Sequence, residues 1–328
     1  MTIAIHIENL TRRFGDLVAV DNISFDIGHG EIFGLLGPNG AGKTTTLSML
    51  STMLEPSSGT ATINGIDITK DEDGVRRSIG IVFQDQSLDE ELTAYENMDF
   101  HGRLYRIPKE TRNARIEELL RLVELYDRKG DLVKTFSGGM RRRLEIARGL
   151  LHHPSVLFLD EPTLGLDPQT RNLLWEYIAT LAKEKGITII LTTHYMEEAD
   201  RLCNRIAIID HGKIIAMDTP EKLKDLIGGD VVTIGSADPE KIVAVLSGTG
   251  AKKTEIHENK VIVNLANAEQ HISEIVLLLA EKKIPIDSIA IRKPTLEDVF
   301  LFFTGKTIRE QEADTKEMMR RHQKMMRH

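Results

Sequence analysis

The chain has 328 residues, 41% of them hydrophobic and 28% charged, and a formal net charge of −8. This is globular composition at a length that suits about two domains, and the acidic balance argues against general affinity for a nucleic-acid backbone. A lone cysteine, Cys203, excludes an internal disulfide and fits a reducing compartment, while no apolar run approaches the roughly 18 residues of a membrane span, so a soluble protein is expected that reaches any membrane process through a partner.

In chain order, the opening Met1–Glu8 stretch has neither the basic start nor the continuous apolar core of a signal peptide. Ile32–Leu36 reads as a buried strand, followed by a glycine-rich loop and a helix whose Leu47, Leu50 and Leu54 recur at helical spacing. Residues 85–135 turn helical and highly charged, as a helical insertion would. Val156–Leu159 and Ile187–Thr192 are further compact apolar strands, each preceded by a helical stretch. That alternation predicts an α/β fold with a largely parallel sheet and helices on its faces. A break near Ile227-Gly-Gly-Asp closes a first domain, 1–227. Residues 228–305 then read strand (Val231–Gly235), helix (Pro239–Leu246), strand pair (Lys252–His257, Lys260–Leu265), helix (Glu269–Lys282) and strand (Asp287–Arg292), with a short helix at Thr295–Phe303. The β-α-β-β-α-β order is ferredoxin-like, a small α+β domain. The tail 306–328 is charged and Met-rich, and reads as disordered or as a contact for a partner helix or membrane surface.

Gly37-Pro38-Asn39-Gly40-Ala41-Gly42-Lys43-Thr44 fits G-x-x-x-x-G-K-[ST] between a predicted strand and a predicted helix. The glycines let the backbone wrap a phosphate and aim its N–H groups inward, and the helix adds its positive end. Lys43 is expected to reach the β- and γ-phosphates and the Thr44 hydroxyl to ligate Mg²⁺. Val156–Leu159 ends in Asp160 and Glu161, which places Asp160 at the carboxyl end of the sheet to hold Mg²⁺ and Glu161 to polarise a water or take its proton. Ser137-Gly138-Gly139 opens another helix and makes a second anion-binding nest.

With these stretches in hand, the chain resembles the ATP-binding subunit of an ABC transporter. Phe136-Ser-Gly-Gly-Met140 resembles the family's LSGGQ signature and departs from it at both ends. The resemblance implies a P-loop NTPase domain of the ABC type with a helical subdomain at about 85–135, and ATP and Mg²⁺ as ligands. It assigns Phe14 to adenine stacking, Gly37–Thr45 and Ser137–Gly139 to the phosphates, and Gln84 to Mg²⁺ or the attacking water. It gives Asp167 to a loop that crosses to a second copy, and His194 to the γ-phosphate. Glu161, His194, Gln84 and Lys43 form the implied catalytic set, and Thr44, Gln84 and Asp160 the metal set. The implied partners are a second copy, paired head to tail, and a separate transmembrane permease, through which this chain would sit peripherally on the cytoplasmic face of the cell membrane, with no nucleic acid.

The signature helix together with Pro294-Thr-Leu-Glu-Asp-Val-Phe-Leu resembles the daunorubicin-resistance type of multidrug exporter ATPase, implying efflux of a drug-like or other hydrophobic compound. Alternatives are the ATPase of an importer, or of a sodium, lipid or polysaccharide exporter. A DNA-repair ATPase would separate the motif halves by long coiled coil, and no sustained heptads lie between Thr46 and Phe136. Asp85, Asp89, Glu90, Glu91 and Glu96 read as a solvated acidic face or a dock for a basic loop of the permease. Arg141–Arg143 read as an exposed helix face, or as support near the nucleotide.

Overall fold

The structure is a computed structural model describing residues 2–246, 254–257, 259–265 and 268–305. The chain divides into two compact units after Thr219, ahead of the Ile227-Gly-Gly-Asp break. The tail from Lys306 lies outside the described residues, as do Lys252 and Lys253 at the start of a predicted strand.

The first unit runs β1 (Ile3–Phe14), β2 (Leu17–Gly28), β3 (Ile32–Leu36), α1 (Lys43–Leu50), β4 (Ser58–Ile63), β5 (Ile66–Asp67), α2 (Glu72–Ser78), β6 (Ile79–Val82), α3 (Ala94–Leu104) and α4 (Lys109–Leu122). Two 3₁₀ turns at Tyr126–Arg128 and Val133–Thr135 precede α5 (Gly138–Gly149), β7 (Val156–Asp160), α6 (Pro168–Lys185), β8 (Thr188–Thr193), α7 (Met196–Leu202), β9 (Arg205–Asp210) and β10 (Lys213–Asp218). The main sheet has the order β10-β9-β3-β8-β7-β6. Every pair from β9 to β6 is parallel, and β10 adds an antiparallel edge. β3 and β7 are buried at every position, as strands covered by helices on both faces must be. Their carboxyl ends therefore open on one edge, with only β8 between them.

A second sheet, β2-β1-β4-β5, is antiparallel and was not read from the sequence. Its first hairpin carries register shifts between Ile7 and Leu10 and again at Arg12, and each shift breaks the two-residue alternation by which a strand is recognised. The sheet shares one apolar cluster with the parallel sheet, including Ile5, Ile7, Phe25, Phe33, Leu47 and Phe158. Phe25 and Phe33 stack at 5.0 Å across the two sheets. Each such side chain stabilises the fold by about 1.5–3 kcal/mol on burial. α1 stops at Leu50, and Leu54, which the leucine spacing placed on it, packs against this cluster from the following turn.

The helical segment starts at Thr93, whose hydroxyl and Glu96 form a reciprocal cap on α3. Of the acidic residues just before it, Glu90 pairs with Arg141 at 2.7 Å and Glu91 with Lys134 at 3.0 Å.

The second unit comprises α8 (Pro220–Asp225), β11 (Asp230–Gly235), α9 (Pro239–Leu246), β12 (Thr254–His257), β13 (Lys260–Leu265), α10 (Ala268–Glu281), β14 (Ser288–Arg292) and α11 (Leu296–Thr304). The sheet order β12-β13-β11-β14, antiparallel throughout, is the ferredoxin-like arrangement expected. Its core sets Val232, Ile234, Val261 and Val263 against Ile242, Leu246, Ile275 and Leu279 of α9 and α10.

Candidate functional site

The loop between β3 and α1 is shaped by its glycines. Gly40 and Gly42 take φ of 83° and 106°, a region closed to most side chains. A Cβ on Gly42 would also stand 2.5 Å from the Ala19 carbonyl oxygen of β2, and one on Gly37 2.2 Å from that of Ile209. Pro38 and Ala41 are buried, Asn39 and Gly40 exposed, and Thr45 half-buried at the start of α1. Lys43 is 4% exposed, and its ammonium donates to the carbonyls of Gly37 at 2.8 Å and Pro38 at 3.1 Å. The amine is thus folded back across the loop that a phosphate would fill.

Three strand ends complete the cluster. The Thr44 hydroxyl lies 3.0 Å from the Asp160 carboxylate. Thr192 on β8 donates its hydroxyl proton to Asp160 and accepts the Glu161 N–H at 3.0 Å. Glu161 has φ of 46°, which costs a non-glycine residue about 1 kcal/mol or more; the Thr192 carbonyl, accepting the same N–H at 3.1 Å, holds it there. The Glu161 carboxylate meets the Lys43 ammonium at 3.4 Å and the His194 Nδ1 at 3.2 Å, the latter close but not aligned as a hydrogen bond. Burial pushes the Glu161 carboxyl up, but the facing His194 and Lys43 outweigh it and hold it below the usual carboxylate range. The group is therefore ionised at neutral pH.

The remaining expected residues fall on two further surfaces. Ser137 caps α5 by accepting the Met140 N–H at 3.3 Å, with Ser137 and Gly138 exposed and Gly139 buried. A Cβ on Gly139 would stand 2.1 Å from the Thr170 methyl carbon, so any larger residue there would displace Thr170. Thr170 in turn is held by Asp167, the N-cap of α6, which accepts from its backbone and its hydroxyl; these bonds depress the Asp167 carboxyl. The signature helix and the Asp167 loop are thus packed into one surface. Phe14 is 46% exposed at the tip of the β1–β2 hairpin, not a core residue, and the Arg12 guanidinium lies 4.7 Å from its ring centroid. Gln84 is exposed just after β6.

Arg142 overturns the reading of Arg141–Arg143 as a wholly exposed face. It is buried, and its guanidinium donates to the carbonyls of Phe83, Asp160, Glu161 and Pro162. Arginine side chains bury where a planar fork finds several acceptors at once, and those acceptors lie at or just beyond the ends of β6 and β7. Thr192 also escaped notice as a functional residue, although two threonines at the end of an otherwise aliphatic strand are a usable signal.

A hydroxyl and a carboxylate beside a buried ammonium form an oxygen-donor set that fits Mg²⁺ with a phosphate chain. Among the described residues no group of three or more His, Cys, Asp or Glu side chains is placed to hold a metal ion by itself.

Comparison with known proteins agrees. Residues 20–164 match the family described as "ABC transporter", and residues 219–303 match "ATP-binding protein DrrA1-3-like, C-terminal domain". The chain is 39% identical to the daunorubicin resistance ATP-binding protein DrrA2 of Streptomyces coeruleorubidus, over 94% of this chain and 98% of that one. It is 40% identical to the linearmycin resistance ATP-binding protein LnrL of Bacillus subtilis, over 92% and 99%. Among solved structures it resembles the dimeric post-hydrolysis ATP-binding cassette MJ0796 with ADP and phosphate, at a TM-score of 0.59 and 29% identity over 66% of this chain and 98% of that one.

Proposed function

Because this chain belongs to the ABC transporter family as an ATP-binding, ATP-hydrolysing subunit, we propose that it drives efflux of a drug-like or other hydrophobic compound through a separate permease. One observation carries the reading of the site: Lys43, Thr44, Asp160, Glu161 and His194, scattered over the sequence, converge at the ends of three adjacent strands. Among the described residues no helix is long and apolar enough to cross a membrane, which supports a permease on another chain and a peripheral, cytoplasmic-face location for this one.

In this reading Gly37–Thr45 cradle the phosphates of ATP with backbone N–H groups, and Lys43 leaves its own loop carbonyls for the β- and γ-phosphates. Thr44, Asp160 and Gln84 hold Mg²⁺, which when bound neutralises charge on the phosphates. Departure of the Lys43 ammonium removes one of the two groups that hold the Glu161 carboxyl down, and the carboxylate accepts a proton from the attacking water. His194 contacts the γ-phosphate, and Phe14, braced from one side by Arg12, stacks on adenine. Ser137–Gly139 and the Asp167 loop meet the ATP of a second copy in a head-to-tail pair; the dimeric state of the similar cassette supports pairing of two such chains. The names of the resistance proteins support export of a drug-like cargo.

Glu161→Gln tests the site. It should bind ATP within a few-fold of the parent and lose about 10²–10⁴ in turnover; near-normal hydrolysis would refute the assignment. Co-expression with the permease should lower cellular daunorubicin accumulation, and the Glu161→Gln chain should not. Equal accumulation with both chains counts against drug export.

A further inference from the structure

Arg142 joins three stretches that the reading above assigns to different tasks. The residue is 7% exposed, and its guanidinium donates to Asp160 at 2.7 Å, Pro162 at 3.0 Å and Glu161 at 3.3 Å, all main-chain carbonyls at or just past the end of β7. It also donates to the carbonyl of Phe83, the residue before Gln84. Its charge is met by Glu145 at 3.0 Å, itself 1% exposed, whose second oxygen accepts the Ser87 N–H at 2.9 Å. One turn further along the same face, Arg148 donates to the Ser87 carbonyl at 2.7 Å. One face of α5 therefore grips the Gln84 segment from both ends, while Arg142 alone also holds the main chain that carries Asp160 and Glu161.

A buried guanidinium with this many aligned acceptors tolerates little independent movement of any of them, since each lost bond leaves a buried group unsatisfied. The same helix begins at Ser137–Gly139. In a head-to-tail pair its first turn faces the ATP of the second copy, and Arg142 faces the hydrolytic residues of its own.

We propose that Arg142 is a positioning residue that sets Asp160, Glu161 and the Gln84 segment for hydrolysis at its own chain's nucleotide, and so transmits engagement of α5 with the second copy's ATP to the site of its own copy. This rests on the ATPase reading and on the paired arrangement.

Mixing experiments separate a role in the chain's own site from a role in the partner's. Arg142→Gln should keep ATP affinity within about twofold and lose about tenfold or more in turnover, the scale expected when catalytic groups are misplaced. When it is mixed with the inactive Glu161→Gln chain, the mixed pair's one intact Glu161 sits on the Arg142→Gln copy and receives an intact Ser137–Gly139 from the other. Turnover should therefore not recover. A Ser137→Arg chain mixed in the same way should recover, because its own Glu161 then meets an intact signature. Recovery with Arg142→Gln, undiminished turnover of that variant alone, or loss of ATP affinity in step with turnover each overturns the proposal. If Arg142→Gln does not fold, Arg142→Lys, which keeps the charge and loses the fork, carries the same test. If the parent chain hydrolyses no ATP, or the Ser137→Arg mixture stays inactive, it is the ATPase or the paired reading that fails.

Discussion

Asp160 and Glu161 are neighbours in the chain, yet their carboxylates serve different partners. Asp160 continues β7 and faces Thr44, whereas the left-handed backbone of Glu161 turns its side chain toward Lys43 and His194. Thr192 enforces this division through one hydroxyl, which donates to the Asp160 carboxylate and accepts the Glu161 N–H. Thr192→Val keeps the shape and removes both bonds in a fully buried place. The Glu161 N–H keeps the Thr192 carbonyl at 3.1 Å, so the loss falls on the buried Asp160 carboxylate and costs about 1–3 kcal/mol. The variant should melt several degrees lower and lose at least about tenfold in ATP turnover, while ATP affinity, set mainly by Gly37–Thr45, changes less. A phosphate-release assay beside a thermal melt checks this; unchanged turnover in a destabilised protein would reduce Thr192 to a packing residue. Lys43, Thr44, Asp160 and Glu161 were legible in the sequence because phosphate chemistry dictates short local strings. Thr192 and Arg142 were not, because their partners lie on other strands and no local spacing encodes that meeting.

Helix α7, which directly follows His194, is fastened by a different kind of contact. Glu198 is fully buried, and one of its oxygens accepts from Thr163 at 2.8 Å and from Trp175 of α6 at 2.9 Å. Its other oxygen has no hydrogen bond among the described residues. Burial pushes this carboxyl above the ordinary value of 4.5, against the smaller opposing pull of its donors. The folded state therefore holds the proton more tightly than the unfolded chain, so the stability associated with Glu198 declines as pH rises from about 4.5 through the raised folded value. Glu198→Gln retains the accepting oxygen and removes the titration. Melting temperatures of parent and variant, subtracted at each pH, should diverge across that window in favour of the variant as pH rises, with other titrating groups cancelling. A flat difference from pH 4.5 to 8 would mean that the carboxylate is not penalised by its surroundings. The order of the α/β elements was readable because aliphatic strands covered on both faces give continuous apolar runs. The β1–β2 hairpin was not, since its bulges scramble the alternation on which a half-buried strand depends.

At the scale of the whole molecule, the two units have separate apolar cores, one built around Ile5, Phe33 and Phe158 and the other around Val232, Val263 and Leu279. A chain ending at Thr219 thus keeps every member of the first core together with every residue of the ATP-site cluster. The second unit supplies none of those site residues, and it leaves Leu277 of α10 64% exposed and Phe302 and Phe303 of α11 at 41% and 40%. Apolar side chains left open on two helices of a small α+β unit suit contact with another protein surface better than chemistry. A second copy brought near by ATP pairing is the candidate partner with the highest effective concentration. Truncation after Thr219 in a Glu161→Gln background should therefore preserve ATP binding and weaken ATP-dependent dimerisation by about tenfold, or roughly 1.4 kcal/mol. Sedimentation with and without ATP measures the dimer, and binding of a fluorescent ATP analogue reports whether the core has stayed folded. Intact nucleotide binding with an unchanged dimer constant would leave the second unit free to serve the permease or a further partner, whereas loss of both would mean that the first unit depends on the second for its own stability.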